Sequence, residues 1–296
     1  MLESFTTNVT LNKNLPIWTY SQNFKEKRMK LLTLNCHSWL EENQYEKIAH
    51  LVETIKENSY DVIALQEVSQ SIEEELVYGN IKKDNFALVL LDELKKLGVD
   101  HYSLTWEFSH FFQNFEEGLA IITKHPVIEE HSFYVSTIKD VNNWKARNTI
   151  GVTIEFSQKH YSFYSCHMGW WHDEEEPFEG QANNLLNTIN RESTVFLMGD
   201  FNNDAFIKGE GYEYLISHGL FDTYTLAELK DDGVTVKGEI GGWEGNLEEK
   251  RIDLILTNRL VPVEFSKVIF NNKNKSVVSD HYGVEVKVKL NAESKK

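Results

Sequence analysis

Apolar and polar positions along this chain fall into two rhythms. Short apolar runs bounded by polar residues predict strands over 30–35, 61–66 and 194–198. In the last of these, Thr194 to Met198, bulk sits on successive rather than alternate positions, as in a strand covered on both faces. Elsewhere the period lengthens. Ile48, Leu51, Val52 and Ile55 recur at helical spacing and predict an amphipathic helix over 44–58. Further helices are predicted over 86–97, stopped by Gly98, over 178–191 and over 211–218. Five segments in succession, 102–108, 118–123, 127–135, 149–156 and 161–167, read as strands with few helices among them, so an antiparallel part of a sheet is expected. The last strands are 251–256, 263–270 and 282–290, preceded by a polar, Gly-rich loop over 231–246. Residues 1–29 alternate only weakly and read as an N-terminal extension able to add an edge strand. No repeat, Pro-rich linker or composition break divides the chain, so one domain over 1–296 is expected.

The strand over 194–198 ends in Gly199-Asp200-Phe201-Asn202. Side chains two apart on an extended backbone point to one side, so Asp200 and Asn202 can aim their oxygens at one point. Such a pair suits a hard cation or a water beside it. It also suits a plain turn in which both side chains cap the backbone. Similar polar residues recur where other strands end: Asn35, Glu67, His167, Asp253 in Arg251-Ile252-Asp253-Leu254, and Asp280 with His281. Side chains on loops held by a rigid sheet are a common way to build a site.

Composition narrows the partners. Asp and Glu number 46 against 30 Lys and Arg, a formal charge of -16 in 296 residues. So acidic a surface repels phosphate backbones and disfavours nucleic acid as a partner. No apolar run approaches the ~20 residues that span a bilayer, and the N-terminal stretch lacks the basic-then-apolar order of a secretory signal. No membrane partner and a cytoplasmic location are therefore expected. Cys36 and Cys166 are too few for a disulfide framework and read as reduced core residues.

The segments Leu65-Gln66-Glu67-Val68, Gly199-Asp200-Phe201-Asn202, Arg251-Ile252-Asp253-Leu254-Ile255-Leu256 and Ser279-Asp280-His281 resemble the signature blocks of the endonuclease/exonuclease/phosphatase superfamily, in that family's order. The resemblance implies an α/β fold, a four-layer sandwich of two mixed sheets packed face to face with helices outside. It implies a divalent-metal phosphoesterase, with Mg²⁺ as cofactor or Mn²⁺ in its place. Carried over position by position, it makes Glu67, Asn35 and Asp280 metal ligands. Asp200 and Asn202 would place the attacking water and a phosphoryl oxygen. Asp253 would orient His281, His167 would contact the scissile phosphate, and Arg147 matches a phosphate-binding arginine. Either the Asp253/His281 pair or Asp200 would be the base. These residue types suit the reaction, because a phosphate ester repels an anionic nucleophile and needs cationic donors as charge develops.

Members of that family cleave nucleic acids, sphingomyelin, inositol phosphates or sugar phosphates, so fold alone leaves the substrate open. Charge argues against a nuclease. Trp170 and Trp171 follow His167, and Trp243 precedes the strand of Asp253, so both loops should border the site. Aromatic faces beside acidic and amide groups suit a sugar, so a small phosphorylated sugar is the expected substrate. The overall pattern is similar to the bacterial sugar-phosphate phosphatases of that family, and the resemblance implies maltose 6'-phosphate as the specific one. Asp173-Glu174-Glu175-Glu176 reads as a solvated loop or helix start rather than a ligand cluster. The alternatives are a phosphodiesterase of the same family, nuclease or sphingomyelinase-like, and a catalytically inactive binding module. Nothing in the sequence sets the oligomeric state.

Overall fold

The structure, a computed structural model, describes residues 27–290. In chain order it comprises β1 (Lys27–Asn35), α1 (Gln44–Asn58), β2 (Val62–Ser71), β3 (Leu76–Tyr78), β4 (Ile81–Lys82) and α2 (Phe86–Lys96). Then come β5 (Ser103–Phe112), β6 (Phe115–Thr123), β7 (Val127–Tyr134), β8 (Asn148–Phe156), β9 (Lys159–His167) and α3 (Phe178–Thr188). These lead to β10 (Thr194–Asp200), α4 (Gly211–Ser217), β11 (Phe221–Asp222), α5 (Thr223–Leu226) and β12 (Ala227–Lys230). The chain closes with β13 (Val236–Lys237), β14 (Glu249–Lys250), β15 (Asp253–Thr257), β16 (Val263–Ile269) and β17 (Gly283–Leu290).

Two mixed sheets dominate. The first runs β12-β16-β17-β1-β2-β6-β5 and the second β11-β15-β10-β9-β8-β7. Period-two alternation sorts the side chains between layers. On β1, Met29 and Leu31 face the second sheet and meet Ile150, Phe163, Phe196 and Ile255. Leu32 and Leu34 point the other way, onto Ile48, Leu51, Val52 and Ile55 of α1 and onto α2. The far face of the second sheet buries Val195, Leu197, Tyr164 and Leu254 against Phe178, Ala182 and Leu185 of α3 and Leu215 of α4. Helix, sheet, sheet, helix is thus the order of layers, the four-layer α/β sandwich expected. Phe163 and Phe196 stack between the sheets with centroids 5.2 Å apart.

Several expectations need correction. The five consecutive strands do not share a sheet: β5 and β6 close one edge of the first, while β7, β8 and β9 form an edge of the second. Among these five, β5 with β6, β7 with β8 and β8 with β9 pair antiparallel, but the link from β6 to β7 crosses between layers, which alternation along the chain cannot reveal. The third main helix ends at Thr188 rather than 191, because Ile189 turns to extended backbone. The Gly-rich loop carries β13, paired with β14. Strand β1 starts at Lys27, and any edge strand before it lies outside the described residues. Both cysteines are buried free thiols.

Irregularities in β2 and β10 set up the polar end of the sandwich. Between Leu65 and Val68 the register of β2 against β6 slips by one residue, and Glu67 adopts φ +50°. Such a bulge bends the strand and re-aims a side chain. On β10, Gly199 passes so close to β9 that a Cβ there would sit 1.9 Å from the Cys166 carbonyl oxygen. Only glycine lets Asp200 follow directly on a paired strand. Gln66 Nε2 donates to Ser165 Oγ at 2.9 Å, and Ser165 Oγ donates to the Leu65 carbonyl, locking the two sheets together beside these positions.

Candidate active site

Residues from both sheets and from the loops at their ends surround a cavity of about 550 Å³. Its lining includes Glu67, Arg147, His167, Asp200, Asn202, Asp280 and His281. Parallel pairing of β10 with β9 places Asp200 beside His167, and antiparallel pairing with β15 places it beside Asp253. Asn35 and Gln66 are neighbours across β1 and β2, which brings Glu67 to the same end.

Hydrogen bonds fix each group. Asn35 Nδ2 donates to Glu67 Oε1 at 2.8 Å and to Asp200 Oδ2 at 3.2 Å, while Asn35 Oδ1 accepts the His37 N–H. The amide nitrogen of Asn35 therefore faces the carboxylates. Asp200 Oδ1 accepts the Asn202 backbone N–H at 2.8 Å. Asn202 Nδ2 donates to the Met168 carbonyl, and its Oδ1 accepts from Trp243 Nε1 at 3.0 Å. His281 Nδ1 lies 3.0 Å from Asp253 Oδ2, and its Nε2 lies 3.7 Å from Asp200 Oδ2. His167 Nε2 is also 3.7 Å from Asp200 Oδ2, and 3.9 Å from Glu67 Oε1. Arg147 Nη1 donates to His167 Nδ1 at 3.1 Å.

Charge is tightly managed here. Burial raises the Glu67 carboxyl, and the Asp280 carboxylate raises it further. Burial pushes Asp200 up to about 7; His281 draws it down and Asp253 adds to the rise. Burial opposes protonation of His281, yet the charges of Asp253 and Asp200 outweigh it and hold the imidazole well above its ordinary value. His167 goes the opposite way, lowered first by burial and then by Arg147. Arg147 is 5% exposed, and among the described residues no carboxylate oxygen lies within 4.0 Å of its guanidinium. A buried cation without a bonded anion, opening on a cavity, is a place for an anionic ligand.

Two groups of side chains could hold a cation. His37, Glu41 and Asp280 have ligand atoms within 4.8 Å of one another, as do Asp200, Asp253 and His281. The second group fits a divalent ion, because the Asp200 carboxyl, raised by burial and by the charge of Asp253, would be relieved by a positive charge beside it. His37 and Glu41 did not stand out in the sequence, although they follow Asn35 closely and are four residues apart. His37 Nδ1 pairs with Glu41 Oε1 at 2.7 Å.

The aromatic residues divide. Trp170 lines the cavity. Trp171 packs on Phe178 and Tyr214 under the second sheet. Trp243 lies behind Asn202 and stacks under Lys250 Nζ at 4.7 Å from the ring centroid. Trp144, 45% exposed and also lining the cavity, meets Trp170 edge-on at 5.7 Å; a lone tryptophan in a polar loop was its only signal. His110, Phe112 and Glu117 complete the wall and were likewise not singled out. The acidic run 173–176 is no solvated loop throughout. Glu176 is buried and accepts the backbone N–H groups of Thr137 and Ile138, and Asp173 pairs with Lys145. These three contacts pin the loop that carries Trp144 and Arg147.

The sequence profile of the Endonuclease/Exonuclease/phosphatase family matches residues 32–281. Among solved structures, an endonuclease/exonuclease/phosphatase family protein from Leptotrichia buccalis is 45% identical, with a TM-score of 0.83 over 88% of this chain and 100% of that one. The mannosyl-6-phosphatase Bt3783 of Bacteroides thetaiotaomicron superposes with a TM-score of 0.64 at 17% identity, covering 88% of this chain and 100% of the other. D. rerio TDP2, complexed with single strand DNA product, gives 0.60 at 13% identity over 90% of this chain and 100% of that one. No curated protein matches the chain.

Proposed function

Given that this chain belongs to the endonuclease/exonuclease/phosphatase family, whose members hydrolyse phosphoesters, we propose that it is a divalent-metal-dependent phosphomonoesterase acting on a small sugar phosphate. Maltose 6'-phosphate is the specific candidate, and we read the chain as one such domain working in the cytoplasm. The observation that carries the reading is the buried Arg147 with no bonded carboxylate, set beside His167 and His281 in a cavity of about 550 Å³. That volume lies within the ~300–1,000 Å³ usual for small-molecule sites. The net charge of -16 weighs against a long polyanion, and the buried free thiols suit a reducing compartment. The structural likeness to a mannosyl-6-phosphatase is compatible with a sugar phosphate, and the likeness to TDP2 keeps a phosphodiesterase as the second reading.

In this reading Glu67 and Asp280 would hold the cation, Mg²⁺ or Mn²⁺, and Asn35, whose Nδ2 donates to Glu67 and Asp200, would orient those carboxylates. When bound, that ion supplies a Lewis acid for a phosphoryl oxygen. Arg147 binds the phosphate and fixes the tautomer of His167. A guanidinium can only donate, so His167 Nδ1 accepts and Nε2 carries the proton toward the cavity. His167 then donates to a phosphoryl or leaving oxygen. His281, held protonated by Asp253, stabilises charge on the phosphoryl group. Asp200, near 7 and anchored by the Asn202 N–H, takes the proton of the attacking water. Asn202 orients that water or a phosphoryl oxygen, and Trp170 with Trp144 offers the aromatic face for the sugar. The test is phosphate release with Mg²⁺ across phosphorylated disaccharides, hexose phosphates, nucleotides, sphingomyelin and plasmid DNA. Faster release from the sugars supports the proposal, whereas preferential nicking of DNA removes the substrate assignment and leaves the metal chemistry standing.

A further inference from the structure

The wall of the cavity opposite the second sheet holds two buried titratable groups that phosphate chemistry does not use. His110 is 3% exposed and Glu117 is 6% exposed, and both line the cavity. They are cross-strand partners on β5 and β6, with His110 Nε2 3.4 Å from Glu117 Oε1. A register slip between Phe108 and His110 inserts an extra residue just before the pair. The strand edge is thereby re-aimed there, as it is at Glu67 on the other side of β6.

We propose that the Glu117–His110 pair is a specificity-determining subsite that binds a hydroxyl group of the sugar carrying the phosphate. The inference rests on the phosphomonoesterase reading and adds to it the part of the substrate that is recognised. Two buried polar side chains in a cavity wall are expensive to desolvate unless a ligand or the protein satisfies them. A hydroxyl donates one hydrogen bond and accepts others, so it suits a carboxyl and an imidazole standing side by side. Arg147 lines the same cavity, so the pair shares its wall with the phosphate-binding end. Burial and then Glu67 push Glu117 up to about 8; burial and then Arg147 push His110 down to about 3. Phe112 and Trp144, on the same wall, offer apolar faces to ring C–H groups.

The test compares Glu117→Leu and Glu117→Gln on hexose 6-phosphates and on p-nitrophenyl phosphate, whose alcohol part has no hydroxyl. E117L should lower kcat/KM for the hexose phosphates at least tenfold more than for p-nitrophenyl phosphate, mainly through KM, and E117Q should recover most of that loss. As a check independent of folding, wild-type enzyme should lose about tenfold on one monodeoxy hexose 6-phosphate of a panel, and E117L should not distinguish that analogue from its parent. Equal losses on both substrate types, or equal losses from E117L and E117Q, would overturn the proposal, because they point to Arg147 positioning or to proton donation. So would an E117L enzyme as selective as the wild type. Wild-type protein that cleaves p-nitrophenyl phosphate but no hexose phosphate overturns the sugar reading itself, whatever the variants do.

Discussion

Arg147 Nη1 lies 3.1 Å from His167 Nδ1, and this contact joins two strands of the second sheet at the floor of the cavity. Arg147 immediately precedes β8, and His167 ends β9. The antiparallel pairing of those strands delivers a guanidinium to an imidazole and leaves both facing the same cavity.

Arg147→Lys keeps the charge but loses the planar fork, so both the phosphate contact and the tautomer of His167 suffer. A fall in kcat/KM of about 10²-fold is expected, the size seen when one preorganised donor is removed. Steady-state phosphate release measures it, and R147K activity within threefold of wild type would contradict the assignment.

His281→Ala should cut turnover sharply without unfolding the protein, although the melting temperature should fall, because the buried ring pairs with the buried Asp253 carboxylate. A loss of about 10²- to 10⁴-fold in kcat is expected from removing a group that contacts the reacting phosphate. Unchanged turnover would show that the Asp253–His281 pair has no part in the reaction.

Trp243→Phe preserves the packing on Val236, Ile240 and Ile252 but removes the indole donor to Asn202 Oδ1. A lost hydrogen bond of ~1 kcal/mol corresponds to about fivefold in kcat/KM. The readout is activity against Trp243→Leu, which should fall further as the ring itself is lost.

Chelation should remove activity, and added Mg²⁺ or Mn²⁺ should restore it. An ion binding only the folded state at a hundred times its Kd adds about 2.7 kcal/mol of stability. Thermal melts with and without the ion give a second readout, and activity that survives exhaustive chelation would rule out a metal-dependent step.

Asp61 provides a pH test away from the cavity. Burial favours its neutral form, but hydrogen bonds from His125 and from the Lys30 backbone N–H, with the charge of Lys124, outweigh it and hold the carboxyl below its usual range. A depressed folded value means stability that is present above the unfolded value of about 4 and is lost as pH falls through the folded one. Asp61→Asn should therefore lower the unfolding free energy from urea titration near pH 7 by ~1.5–3 kcal/mol, the range for bonds to a charged group. The gap to wild type should narrow below about pH 4, and a gap that is constant down to pH 3 would mean the carboxylate's charge is irrelevant.

Strand ends and the helical face of Ile48, Leu51, Val52 and Ile55 were legible in the sequence because burial in a layered sandwich imposes periods of two and of 3.6 on local composition. The polar side chains that recur at strand ends were legible for the same reason, since a rigid sheet leaves chemistry to its edges. What the sequence by itself determined was this alternation and the order of the blocks around Glu67, Asp200, Asp253 and His281. Only the tertiary structure decided that β5 and β6 belong to a different sheet from β7, β8 and β9, that Trp171 packs inward while Trp144 faces the cavity, and that His110 meets Glu117. Those facts depend on contacts between residues far apart in the chain, on loop closure and on bulges that rotate a side chain by one position. Local periodicity carries no signal of them, because the energy that selects them arises only when the layers pack.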